Sequence, residues 1–558
     1  FSCFALKAFS PAAGMMLPLA IWVALRKMTR GRAVAAALAC VVVIRLILTA
    51  PENEKWSPYQ HISVAKRVLS PPAPGRPPTS IHLIQVNGNF YMQAASLDRN
   101  LYPDPERFID PIREKYLMPY HKLEPPSRVL VVGAGAGMDV AAALLSGALE
   151  VDAVEIDPAI IEFGMALNPD RPYSDPRVRL IEADARAFLR TSQRGYDRIV
   201  FGLLDSQSLL THMSNVRIDG FVYTRESFED AYRLLNPGGA LCVSFFTVGK
   251  DWIARRLYLM LLDACRNRPK IYVDGRGTVI FVVAKAGAVA GIAPSAEMAT
   301  APHSFILFRE IAPAALGNEP VPPAVDDWPY LYLRKRTIPM EYIVTLGMML
   351  FATVVIMILL RIFSTTRAAD SPAARETLPL HRHVHYAALG FSFMLLQTKT
   401  VTELSLLFGS TWIVSSISIS GMLSMALAAN LVAARLRSPS MGWYVPLLST
   451  VLVLYSAPAA AALGLNSAAR ALYAFVLVPL PVFFSGLIFS LTFRDERAPE
   501  SALGSNLLGC VLGGFAEYLA MMSGFRVLYL VVLAGYLLSV SMLVVSRRNA
   551  CVTKSSKA

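Results

Sequence analysis

Nine apolar stretches, each long enough to cross a hydrocarbon core of roughly 30 Å, govern what this chain can fold into. They are Ala8–Leu25, Ala33–Ala50, Tyr342–Leu360, Tyr386–Phe408, Trp412–Ala434, Trp443–Leu465, Ala471–Phe493, Leu503–Met522 and Val527–Val545. A chain so built must bury these stretches in lipid or against one another. The pattern predicts two transmembrane helices in residues 1–50 and a seven-helix transmembrane domain in 340–558. The stretch from Pro51 to about Pro339 has ordinary soluble composition, so a water-soluble domain is inserted in an all-α transmembrane bundle. No charged leader or small-residue cleavage site is read before the first stretch, so it is expected to be a span rather than a signal peptide.

The net charge of +13 sits where membrane topology explains it and does not call for nucleic acid. Five short connections (26–32, 361–385, 435–440, 494–497 and the tail from Arg547) carry 16 Lys/Arg against 4 Asp/Glu. Such connections mark the cytoplasmic side. The protein is therefore expected to be multi-pass in the cytoplasmic membrane, with its soluble domain on the outer side. Lys55, Lys66, Arg67 and Arg334–Arg336 pull the other way, but long domains weigh little in the charge rule.

Within the soluble block, "HISVAKRV", "SIHLIQVNG" and "NFYMQA" alternate as strands, with an Asn-Gly turn between the last two. They predict a small N-terminal β subdomain and linker over 51–127, interrupted by the proline-rich "SPPAPGRPPTS". From Arg128, strands and helices alternate: "RVLVVG", "ALEVDAVEID", "RVRLIEADA", "YDRIVFGLL" and "GGALCVSFF". That alternation predicts an α/β Rossmann-like domain over 128–339, with "KIYVD" and "TVIFVVAK" as an antiparallel edge.

The chemistry-bearing constellation begins in "VVGAGAGMD". Gly133, Gly135 and Gly137 let the backbone turn sharply and approach a ligand at the start of a helix. Glu155 lies 18 residues past Gly137, at the tip of the second strand, where an acid can hold both ribose hydroxyls. Asp184 follows the third strand, where an acid can accept from an adenine amino group, and Asp205 follows the fourth. Ligands of open parallel sheets bind outside the carboxyl ends of the strands, so these residues should converge on one cleft. Each acid alone is more readily a helix cap or turn residue, and it is their falling in register that favours a site. Cysteine spacing suggests neither a redox pair nor a metal site, and none is expected.

Over about Trp56 to Phe246 the chain resembles the spermidine synthase group of aminopropyltransferases, which share their sheet with adenosylmethionine-dependent methyltransferases. The resemblance rests on "WSPYQHISV", the "IQVNGNFYMQ" hairpin, the glycine loop, "VEID", Asp184 and "YTRESFEDAYRLLNPGG". It implies adenosylmethionine or its decarboxylated form as donor and a polyamine or amphiphilic amine as acceptor. It also implies ribose held by Glu155, adenine by Asp184, and Tyr59 and Gln60 near the acceptor. Two positions depart from the family pattern. Ala136 stands where the glycine loop usually carries an acid, and Gly202 stands at the first of two acids after the fourth strand, leaving Asp205 as the second. The catalytic residues expected are therefore Asp205, with Tyr59, Gln60 and Tyr223 shaping the acceptor side. The membrane half, through "DDWPYLYL", "LLQTKTVTELSLLFGSTW" and "NLLGCVLGGFAEYL", resembles multi-span bacterial proteins that carry a spermidine-synthase-like domain.

Two other classes stay open: a catalytically silent ligand-binding or assembly subunit of a membrane complex or homo-oligomer, and a transporter with a regulatory domain. The latter rests on Lys399 and Glu403, four residues apart on one helix face, and on Glu517 beyond Gly509 and Gly513, whose spacing suits close helix contact.

Overall fold

The computed structural model describes residues 36–42, 44–45, 53–57, 59–69, 80–102, 104–105, 109–121, 123–204, 219–247, 251–285, 308–367, 378–408, 412–436, 440–457 and 459–555. The first apolar stretch, half of the second, nearly all of the proline-rich insert and Asp205 lie outside them. The chain forms two compact units, one ending at Arg334 and also holding Phe408–Val414, the other made of Lys335–Leu407 and Ser415–Ala558.

The first unit opens with a four-stranded antiparallel sheet: β1 (Glu54–Trp56), β2 (His61–Val68), β3 (Ser80–Val86) and β4 (Asn89–Ala94), in that order. Strands β3 and β4 join at Asn87 and Gly88, with φ of 50° and 80°. Paired positive φ values are the hairpin geometry that an Asn-Gly dipeptide favours. Helix α1 (Asp110–Leu117) leads to the large sheet.

The large sheet comprises β5 (Arg128–Val132), β6 (Glu150–Glu155), β7 (Val178–Glu182), β8 (Tyr196–Phe201), β9 (Leu235–Phe246), β10 (Lys270–Val273), β11 (Thr278–Ala284) and β12 (Arg309–Ile311). Its order is β12-β10-β11-β9-β8-β5-β6-β7. The five strands from β9 to β7 are parallel; β11, β10 and β12 form an antiparallel edge. This is the Rossmann-like mixed sheet that the alternation predicts. Each central strand is buried on both faces: Val129 and Val131 pack into one core, Leu130 and Val132 into the other. Two-sided burial is why these strands read as continuous apolar runs. Helices α2 (Met138–Leu145), α3 (Pro158–Leu167), α4 (Ala185–Thr191), α5 (Arg225–Arg233) and α6 (Asp251–Cys265) complete the layers.

The segment Asp326–Leu333, "DDWPYLYL", is held against this domain by two buried arginines. Arg186 pairs with Asp326 and Asp230, each at 2.7 Å, and Asp326 also accepts from Thr224 Oγ1 at 2.7 Å. Arg256 is fully buried and donates to the carbonyls of Tyr330, Leu331, Leu333 and Arg334. Its guanidinium lies 4.8 Å from the Trp252 ring centre and 5.5 Å from that of Trp328. Five donors in a rigid fork suit one arginine to cap several carbonyls at once.

The second unit is helical: α7 (Met340–Arg367), α8 (Leu380–Phe408), α9 (Trp412–Ala433, of which residues from Ser415 belong here), α10 (Tyr444–Ser456), α11 (Leu480–Phe493), α12 (Pro499–Ala516) and α13 (Phe525–Ser555). Among the described residues five helical segments are long and apolar enough to cross a membrane: Met340–Leu359, Val414–Ala433, Ala468–Phe493, Pro499–Ser523 and Phe525–Asn549. Two expected spans differ. The stretch Trp443–Leu465 becomes a 13-residue helix, Tyr444–Ser456, and a separate helical turn, Ala459–Ala462. The stretch Tyr386–Phe408 lies within the 29-residue helix Leu380–Phe408, whose apolar run Lys399 and Glu403 interrupt.

Those two residues pair directly, and Tyr529 donates to Glu403 at 2.6 Å while its ring lies 3.2 Å from Lys399 Nζ. Breaking a buried pair strands one charge, at about 3–5 kcal/mol, whereas removing both partners costs far less. Lys399→Met is therefore expected to lower the thermal midpoint in detergent sharply, and Lys399→Met/Glu403→Gln to recover most of the loss. Equal losses in both variants would show that the pair's charge balance is unimportant.

Candidate functional site

The strand order reverses at β5, whose neighbours are β6 and β8. Outside the carboxyl ends of these strands lies a narrow cleft, lined by Gly133, Glu155, Asp184, Leu204, Asp219 and Val222 among others. Loops from four successive strands thus meet where open parallel sheets bind ligands.

The glycine loop is held tightly. Gly133, Gly135 and Gly137 have φ of 69°, 56° and 87°. At Gly133 a Cβ would stand 1.6 Å from Leu204 Cδ2, the movable end of a side chain, so it is the left-handed backbone that disfavours a side chain there. Gly133 and Ala134 donate to Val154 O at 2.9 Å, Tyr173 Oη donates to Gly135 O at 2.6 Å, and Asn168 Nδ2 to Ala136 O at 2.8 Å. Neither Asn168 nor Tyr173 was legible as a loop support, because both lie in the irregular "NPDRPYSD" after α3.

Glu155, at the end of β6, is buried. Its Oε2 accepts from Gly135 N at 2.8 Å, and its Oε1 from Ile156 N at 2.8 Å and Asp157 N at 3.0 Å. Burial pushes its carboxyl up to about 7, against the opposing pull of these amides. Three of roughly four lone-pair sites are thus engaged, so the side chain braces the glycine loop as well as facing the cleft. Asp184 caps α4, accepting from Ala187 N at 2.9 Å, and also lines the cleft. Burial raises its carboxyl. Cap and site roles coincide in this residue.

Tyr59 faces the same acids. Burial, then the charges of Asp184, Asp157, Glu155 and Glu182, push its phenol far above the usual range, so it stays protonated and can donate. Gln60 is buried in a bracket: Asp157 Oδ2 accepts from Ser57 Oγ at 2.7 Å and from Gln60 Nε2 at 3.2 Å, while Oδ1 caps α3 through Ala159 N. Gln60 therefore ties the small sheet to the "VEID" turn. Asp157 is a site residue that the sequence reading missed, although it is the last letter of that motif.

Tyr223 sits elsewhere than expected. It is fully buried among Phe201, Phe228 and Phe245, and its hydroxyl donates to Gly202 O at 3.2 Å. That is a core position behind the cleft wall rather than an acceptor-facing one. Ala136 belongs to the apolar cluster of Ile62, Ile84, Val86 and Ile160. At Gly202 a Cβ would meet Asp139 Oδ2 at 2.6 Å, and burial pushes the Asp139 carboxyl up to about 7.

Three carboxylates, Glu155, Asp184 and Asp219, line the cleft, and no Lys or Arg does among the described residues. Such a site favours a cation or a hydroxyl-rich ligand over an anion.

Residues 116–273 match the family model described as "Spermine/spermidine synthase domain", and the chain carries such a domain there. The chain is similar to putrescine N-methyltransferase 3 of Nicotiana tabacum, 28% identical over 154 residues, which are 27% of this chain and 37% of that protein. It is also similar to the polyamine aminopropyltransferase of Korarchaeum cryptofilum, 29% identical over 122 residues, 21% of this chain and 35% of the relative. The match thus spans little more than a third of either relative's length. Among solved structures, a spermidine synthase in complex with the transition-state analogue AdoDATO aligns over 44% of this chain and 76% of its own, at 16% identity and a TM-score of 0.30.

Proposed function

We propose that the protein is a membrane-bound transferase that binds an adenosylmethionine-type donor and moves an aminopropyl or methyl group to an amine or amphiphilic acceptor. The observation that carries this reading is the acid-lined cleft at the switch point, with Glu155 and the glycine loop on one wall and Asp184 on the next. Glu155 is the group for ribose hydroxyls and Asp184 for the adenine amino group. The donor, decarboxylated or not, supplies a carbon activated by a positively charged sulfur. Transfer requires the acceptor nitrogen to lose one proton and attack that carbon; the carbon–sulfur bond breaks with its electron pair left on sulfur. Positioning and one proton-accepting carboxylate are the minimum equipment. Asp205 is assigned that role, Tyr59 a donor role beside the acceptor, and Gln60 a positioning role.

Membrane attachment is supported by α7, where Met340, Met348 and Phe351 are 67%, 61% and 71% exposed along one long apolar helix. An apolar surface of that kind is unstable in water and suited to lipid. The basic connections favour a cytoplasmic membrane with the soluble domain outside, and the resemblance of the helical half to multi-span bacterial proteins favours a bacterial inner membrane. A second reading, a silent ligand-binding subunit, is favoured by Ala136 in its apolar cluster and by the glycine at 202.

The test is transfer of label from adenosylmethionine or its decarboxylated form to a panel of aliphatic amines by the detergent-purified protein. Turnover is expected, and Asp205→Asn is expected to abolish it while sparing donor binding. Donor binding without turnover on any amine would favour the silent subunit.

A further inference from the structure

Asp219 reaches the cleft by a route that motif spacing does not announce. It is 3% exposed, and its backbone carbonyl accepts from Val222 N at 3.0 Å and Tyr223 N at 3.2 Å, fixing it in the turn ahead of α5. Its Oδ2 accepts from the Tyr332 hydroxyl. Tyr332 belongs to the "DDWPYLYL" segment that Arg186 and Arg256 clamp, and its ring lies 6.1 Å from that of Phe245. The carboxylate is thus set from two sides, by its own turn and by a residue more than a hundred positions along the chain.

Glu155 and Asp184 have assigned partners on the donor, whose ribose and adenine offer neutral donors. Asp219 stands with Leu204 and Val222 on the part of the wall that follows β8. A carboxylate in so enclosed a place, beyond the groups that hold the nucleoside, is suited to a compact cation rather than another hydroxyl.

Resting on the transferase reading, we propose that Asp219 receives the ammonium group of an aliphatic diamine acceptor and that Tyr332 is the positioning residue that aims it. Acceptor choice is then set partly by the segment leading out of the soluble domain. Replacing the carboxylate removes charge selection; replacing the phenol hydroxyl frees the carboxylate to turn away. Neither change touches the groups assigned to the nucleoside.

The experiment is calorimetric titration of the full-length protein in detergent with putrescine and, in parallel, with uncharged butane-1,4-diol, each with and without saturating methylthioadenosine. The intact protein is expected to prefer putrescine. Asp219→Asn should weaken putrescine at least tenfold and bring it level with the diol, and Tyr332→Phe should weaken it severalfold. Both variants should keep the intact protein's affinity for methylthioadenosine, which shows that they fold. Unchanged putrescine affinity in Asp219→Asn, or no preference for putrescine over the diol in the intact protein, would overturn the proposal. Failure of methylthioadenosine to bind, with the Asp219-dependent preference intact, would instead count against the transferase reading alone.

Discussion

Gly513→Leu is expected to lower the thermal midpoint of the helical unit by roughly 10 °C or more, or to prevent its folding. A Cβ at Gly513 would stand 2.2 Å from Phe391 O and 2.9 Å from Phe391 Cα. One turn earlier, a Cβ at Gly509 would meet Ala387 O at 1.9 Å, and from the facing helix one at Gly390 would meet Asn506 O at 2.1 Å. Each obstacle is backbone, so no rotamer relieves it and the two helices must separate. Overpacking that forces whole helices apart belongs with the rare substitutions costing more than about 4 kcal/mol, which in a unit of this size is roughly 8–16 °C. Gly504, on the same helix, has nothing within 4 Å of its Cβ site and supplies the control. Gly504→Ala should leave the midpoint unchanged or raise it slightly, because alanine favours helix by about 1 kcal/mol. Coincident melting of Gly513→Leu and Gly504→Ala in detergent would contradict the close packing of α8 and α12.

The second large effect is on ligand affinity. Glu155→Gln is expected to weaken methylthioadenosine binding roughly 10- to 100-fold at pH 8, since the one acceptor site left on the carboxylate offers ribose a charge-assisted hydrogen bond worth about 1.5–3 kcal/mol. The intact protein should also show a pH signature. Burial raises the Glu155 carboxyl to about 7, so the acceptor form needed for ribose dominates above that pH and is lost below it. Affinity should be flat above pH 7 and fall about tenfold per unit beneath it. Glu155→Gln should be weak at all pH values with no such slope. A slope retained in the variant would assign the titration to another group, with Asp139 the first to examine, because burial pushes it to about 7 as well.

Much of the soluble domain was legible because its signals are local. The Asn-Gly turn, the alternating β2 to β4 and the buried β5, β6, β8 and β9 announce themselves in windows of a few residues. The edge strands β1 and β12 were not legible, being three residues each and defined only by their partners. In the site, Glu155 and Asp184 were found by position after strands, and both line the cleft. Asp219, Tyr332 and Asp157 were missed because their roles depend on tertiary approach, through the clamp of Arg186 and Arg256 or the bracket of Ser57 and Gln60. Tyr223 shows the reverse error: a polar residue in a family-like motif that packing turns inward. In the helical half, hydropathy located the apolar segments but not their interruptions. Helix α10 ends at Ser456, and a π-helical turn at Tyr473–Leu477 precedes α11. The Gly509 and Gly513 spacing was legible because close helix approach needs only small residues one turn apart.

The most direct test of the central claim is calorimetric titration of the detergent-purified protein with adenosylmethionine, its decarboxylated form and methylthioadenosine, beside Glu155→Ala. Saturable binding of at least one of them to the intact protein, weakened 100-fold or more in the variant, is the result predicted for a nucleoside held in the glycine-loop cleft. No binding to the intact protein, or equal binding to the variant, would contradict it.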